Sequence, residues 1–219
     1  MYRFFRVNEY KVLAYRLLLV YIMYFVARVL FYYYNNDLLD VHGFNAFIAI
    51  CYHGLVFDTT AILYINSIFI LFSAFPFWIN TKPGYQKFLF YWYMLTNLIF
   101  YSLNFVDLIY YRYNFARTTM AVVDILKNEK SLTFMFFRFL FTYWLVFLLF
   151  ICISILWIFL YKKIKVVEIQ NKPKVIPYLL SSIIGVLIIA TLSVGGIRGD
   201  FKKSTRPINL VDANRFVKK

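Results

Sequence analysis

The chain has 219 residues, and 63% of them are hydrophobic, well above the roughly half expected of a soluble domain. This excess excludes both a conventional water-soluble fold and a disordered chain, which needs low hydrophobicity. The formal charge of +14, from 24 basic and 10 acidic side chains, points in so apolar a chain to anionic lipid and loop topology rather than nucleic acid.

A membrane-spanning helix needs about 20 predominantly apolar residues. Five stretches qualify: residues 12–34, 59–79, 86–106, 133–161 and 175–196. The first follows Arg3, Arg6 and Lys11, as a signal sequence would. Its apolar core is too long for a secretory signal, so it reads as an uncleaved span. Residues 41–57 form a sixth, shorter apolar run, parted from the next only by Asp58. Two consecutive spans cannot reverse without a turn, so this run is expected at the interface or re-entering part-way. Between spans three and four, Phe115, Thr119, Val122 and Leu126 recur at helical spacing, opposite Arg117, Ala121, Asp124 and Asn128. Residues 114–130 therefore read as an amphipathic helix with Asn114 as its N-cap, lying flat on the bilayer or packed on protein. Gly195 and Gly196 are expected to break the fifth helix. The polar residues 198–219 follow and read as a connector. The expected fold class is thus an all-α integral membrane protein, with five transmembrane helices plus one interfacial helix.

Charge orients this arrangement. With five spans and the N-terminus inside, the inner side carries ten basic residues: Arg3, Arg6, Lys11, Lys82, Lys87, Lys162, Lys163, Lys165, Lys172 and Lys174. The outer loops carry four: Arg112, Arg117, Lys127 and Lys130. The seven basic residues of the tail offset this difference, but an exported connector crosses largely regardless of charge. The expectation is a cytoplasmic N-terminus and an external C-terminus.

Charges at membrane depth are functional candidates by default. Arg16 and Arg138 lie near helix ends and are expected to snorkel. Arg28 needs an acid, either Asp58 or Asp107, in a structural ion pair, unless it holds a lipid headgroup. The densest polar constellation is Asn104, Asp107, Tyr111, Arg112 and Arg117. Asp107 and Tyr111, four apart, share a helix face. Arg112 and Arg117 could hold a phosphate bidentately and so bind a phospholipid headgroup, with Tyr111 beside them, or simply anchor the interface. Asn66, Asn97 and Asn104 suit interhelical hydrogen bonds better than ion coordination. Two cysteines, Cys51 and Cys152, sit in apolar runs, and His42 and His53 are not at ligand spacing, so neither a disulfide framework nor a metal centre is expected here. No nucleophile elbow, P-loop or metalloprotease motif occurs.

Three passages, in order, resemble the membrane region of the lipoteichoic acid synthase-like family, the sulfatase-type phosphoglycerol transferases of bacteria. They are Gly54 to Tyr64 with Phe57 and Asp58, Asn104 to Thr119 with Asp107, Arg112 and Arg117, and Gly195 to Leu210 with Gly196, Arg198 and Gly199. The resemblance implies five spans in the bacterial cytoplasmic (inner) membrane. It implies an exported catalytic domain, in cis or in trans, with a Thr nucleophile and a divalent metal, Mn or Mg. It implies membrane lipids, anionic phospholipid among them, as partners. None of that domain's catalytic residues falls within these positions, so no cofactor is expected in this chain. The function implied is a membrane anchor and lipid-substrate platform. A small transporter or channel and a non-catalytic scaffold subunit are the alternatives.

Overall fold

A computed structural model describes residues 6–39, 44–75, 78–118, 132–168 and 175–198, all of them helix, turn or connecting segment. Seven α-helices are described: α1 (Val7–Tyr34), α2 (Phe44–Ile65), α3 (Ser67–Ala74), α4 (Pro83–Asn114), α5 (Leu132–Thr142), α6 (Trp144–Lys163) and α7 (Val175–Arg198). A 3-10 turn, Trp78–Thr81, leads into α4.

Four segments are long and apolar enough to cross a bilayer: Val7–Tyr34, Asn45–Ile65, Trp144–Lys163 and Tyr178–Ile197. The chain is therefore a membrane-embedded helical protein. The helix holding the expected third span, α4, has the length but not the hydropathy. Its 32 residues include seven tyrosines, whose hydroxyls lower the transfer free energy without making the ring polar. At about 1.5 Å per residue, α4 is about 48 Å long, longer than the about 30 Å hydrocarbon core.

The expected division of residues 41–79 into an interfacial run and a later span is not what forms. A single helix, α2, runs through Asp58, and α3 follows after one turn residue. The Asn66 N–H still bonds Ile62 O at 2.9 Å, and the Ile70 N–H bonds Asn66 O at 2.8 Å, so the backbone ladder hardly pauses. The helix passes through an aspartate because that charge is neutralised from α1, as described below. The fourth expected span is likewise interrupted, at Tyr143, between α5 and α6.

Interactions at the helix ends set the relative directions of the helices. Arg6, at the start of α1, donates to Ala74 O and Phe75 O at the end of α3, and to Ser182 Oγ near the start of α7. Asn35, just past α1, donates to Leu108 O near the end of α4. Thus α1, α4 and α7 run one way, and α2–α3 the other. At the centre α1 packs on α4, α2 and α6, while α7 lies against α2 and α3. The buried side of α1, with Val12, Leu19, Val20, Met23 and Ala27, follows helical spacing. Trp157, Tyr93 and Tyr101 are fully buried between α4 and α6. Trp157 Nε1 donates to Tyr93 Oη at 3.0 Å, and Tyr93 Oη donates to Arg16 O at 2.9 Å, so the polar tips of Trp157 and Tyr93 are answered inside the core.

Two glycines expected to end α7 instead lie within it. A Cβ on Gly196 would stand 2.5 Å from Leu63 Cδ1 and 3.1 Å from Thr59 Cγ2. The missing side chain permits close approach to α2, where Thr60 Oγ1 donates to Ile197 O at 3.3 Å. Close packing thus retains the helix through two residues of poor helical propensity.

Candidate functional site

The sequence-predicted polar residues gather towards the end of the bundle formed by the C-terminal parts of α1 and α4 and the middle of α2. Arg28 chooses Asp58: Nη2 meets Oδ2 at 2.6 Å, and Nη1 donates to Cys51 O at 2.9 Å. Both side chains are largely buried, at 15% and 17% exposure. Gly54 makes the pairing possible, because a Cβ there would fall within the Arg28 guanidinium. Gly54 and Asp58 are four apart and so share a helix face, which presents first a notch and then a counter-charge.

Asp107 pairs instead with Arg117. Asp107 Oδ2 receives Arg117 Nε at 2.9 Å, and Oδ1 accepts the Thr118 N–H at 2.7 Å. Arg117 Nη2 also reaches Asn104 Oδ1 at 3.4 Å, and its guanidinium sits 5.2 Å from the centre of the Phe31 ring. This return path depends on how α4 stops. Asn114 is the last residue of α4, not the cap of a new helix, and Phe115 adopts a left-handed conformation at φ 52°. The Phe115 N–H bonds Tyr111 O at 2.9 Å and turns the chain back across α4. The rest of the expected amphipathic helix, residues 119–130, lies outside the described residues.

Arg112 faces the loop after α1. It donates to Tyr34 O at 2.6 Å and to Asp37 Oδ2 at 2.8 Å. Tyr111 packs its ring edge-on against Phe31, with centroids 5.1 Å apart. Arg117 also lies within Coulombic range of Asp58. Three arginines and three aspartates, 37, 58 and 107, therefore form a neutral array that grades from buried to exposed. The Arg28 pair is sheltered, whereas the Arg112 and Arg117 side chains are 37% and 57% exposed. Chemically, the outer two guanidinia can meet an anion at the surface while a carboxylate holds each in place. Arg117 uses two of its N–H donors on Asp107 and Asn104, leaving others for a further acceptor.

Sequence reasoning did not find Asp37, whose only signal is its place just beyond the last aromatic turn of α1. It also misjudged Arg16, which does not snorkel. Arg16 is 4% exposed and lies 4.2 Å from the centre of the Tyr161 ring. Arg138 is exposed on α5. Asn66 and Asn97, both fully buried, exchange amide hydrogen bonds of 3.0 and 2.8 Å at the α2–α3 junction, the interhelical role expected of them. Among the described residues no three His, Cys, Asp or Glu side chains converge as metal ligands. Comparison with protein-family models, curated proteins and solved structures returns no match.

Proposed function

We propose that this chain is the membrane domain of an exported, sulfatase-type phosphoglycerol transferase, serving as its anchor and as a platform that presents lipid substrate. The reading rests on the ordered passages that resemble the lipoteichoic acid synthase-like family. The structural observation that supports it is the exposed pair Arg112 and Arg117 at one end of α4, each steadied by an aspartate. Guanidinia held in this way lose little rotamer freedom on meeting a phosphate, and they match its geometry bidentately. On this reading α4 is the third of five crossings, the N-terminus is cytoplasmic and the array faces outward. The transfer chemistry, metal included, belongs to the catalytic domain, and this chain contributes retention and orientation of the lipid.

The test is retention of phosphatidylglycerol. The purified protein, in nanodiscs mixing phosphatidylglycerol with phosphatidylcholine, should enrich the anionic lipid, as read by native mass spectrometry. The Arg112→Gln/Arg117→Gln double variant should lose that enrichment and lower the lipid-linked product of the complete protein. Equal enrichment and turnover would leave anchoring alone.

A further inference from the structure

At the opposite end of the bundle from the arginine–aspartate array, a small cavity is walled by Glu9, Leu13 and Arg16 of α1, Ser73 of α3, Asn80 of the 3-10 turn and Gln86 of α4. Four polar atoms of this wall are buried and have no hydrogen-bond partner: Arg16 Nε, Ser73 Oγ, Asn80 Oδ1 and Gln86 Oε1. Arg16 and Asn80 are 4% and 2% exposed, so bulk water does not answer them. Each such group left unsatisfied destabilises the fold, and more so when it is charged.

The orientation of the two amides follows from their other ends. Asn80 Nδ2 donates to Phe75 O at 2.7 Å and to Ser73 O at 3.3 Å, and Gln86 Nε2 donates to Asn80 O. Both carbonyl oxygens are thereby left as acceptors. Beside the Glu9 carboxylate, which pairs with Arg6, the wall thus offers two unpartnered donors, the Arg16 N–H and the Ser73 hydroxyl, and two unpartnered acceptors. Size then selects the occupant. The cavity volume is about 10 Å³, close to the smallest space that holds one water. A phosphate or a lipid headgroup is several times too large. A halide would suit Arg16 but would face two carbonyl oxygens that repel it.

We propose that this cavity is a permanent hydration site holding one water, which accepts from Arg16 Nε and Ser73 Oγ and donates to Asn80 Oδ1 and Gln86 Oε1. Water has two donors and two acceptors, which match these four unpartnered atoms one for one. It lets Arg16 remain charged within the bundle, beside the Tyr161 ring. It adds to the direct hydrogen bonds that already join α1, α3, the 3-10 turn and α4 here, such as Asn80 Nδ2 to Phe75 O and Tyr85 Oη to Phe72 O.

The test is a high-resolution structure of the full chain in lipid, grown or frozen with and without bromide. The expected result is one compact peak within hydrogen-bonding distance of all four atoms, unchanged by bromide. The Ser73→Val variant, whose extra methyl groups fill the space, should lose the peak and unfold at a lower temperature. A bromide signal at the site would assign it to an anion, and elongated density would assign it to a headgroup. Either result, or featureless density in the wild type, overturns the proposal.

Discussion

At the scale of single residues, the Arg28–Asp58 pair sets what α2 is. An aspartate in mid-helix at membrane depth is costly, and α2 continues through it because Arg28 crosses from α1 at 2.6 Å. Removing one partner of a buried pair leaves the other uncompensated and typically costs about 3–5 kcal/mol, whereas replacing both by apolar side chains is often neutral. Arg28→Met should therefore markedly lower the unfolding midpoint in detergent, and Arg28→Met/Asp58→Leu should restore most of the loss. A double variant as unstable as the single one would show that Arg28 supports the fold through Cys51 O or packing rather than through charge. Gly54→Val is expected to resemble Arg28→Met with both charges intact, because its side chain occupies the space of the guanidinium.

At the scale of elements, apolar runs identified helices more reliably than they identified helix boundaries. The runs at 12–34, 133–161 and 175–196 each fall within or across described helices, because length and hydropathy are what lipid requires. The division at Asp58 failed because the cost of a charge depends on its partner, which lies 30 residues away on another helix. The extent of α7 was missed for a similar reason. A glycine pair reads as a break locally, and only the neighbouring helix shows that Gly196 is a contact surface. Periodicity could not help, since a helix between lipid and protein is apolar on both sides: Leu18 and Ile22 of α1 are exposed, while Leu19 and Met23 are buried. At the candidate site, the residue types and the end of the bundle were legible. Arg28–Asp58 was one of the two pairings the sequence left open, whereas Arg117–Asp107 was not legible, because it depends on the left-handed turn at Phe115. The contact at Gly196 has a measurable consequence. Interaxial distances of about 8–10 Å follow the side chains at the crossing, so Gly196→Leu should push α7 from α2 by about 2 Å. Spin labels at Tyr52 and Leu192, both exposed, would report a longer distance in that variant. An unchanged distance would mean that Leu63 and Thr59 yield instead.

At the scale of the whole molecule, the lie of α4 decides the topology. Hydropathy passes over it, yet it is among the most deeply packed helices, with Leu89, Tyr93, Asn97, Tyr101 and Phe105 buried. A helix whose central Tyr93 hydroxyl and Asn97 amide are answered inside the protein need not be apolar to lie in a membrane, because lipid meets only its outer face. That face carries Leu95, Ile99, Phe100 and Leu103, all exposed. Its tyrosines concentrate towards the ends, where aromatic rings favour the interface. An orientation across the bilayer satisfies both conditions, whereas a surface-lying helix would bring the buried Asn97 level with the lipid boundary. Single cysteines at Gly84, where a side chain meets nothing within 4 Å, and at Tyr113, which is exposed, mark the two ends of α4. A membrane-impermeant thiol reagent added outside intact cells should label Tyr113→Cys and spare Gly84→Cys until the membrane is opened, in a background with Cys51 and Cys152 replaced by alanine. Labelling of both from one side would place the ends of α4 together. Four crossings would then remain, and α7 would end in the cytoplasm, where it could not lead to an exported catalytic domain.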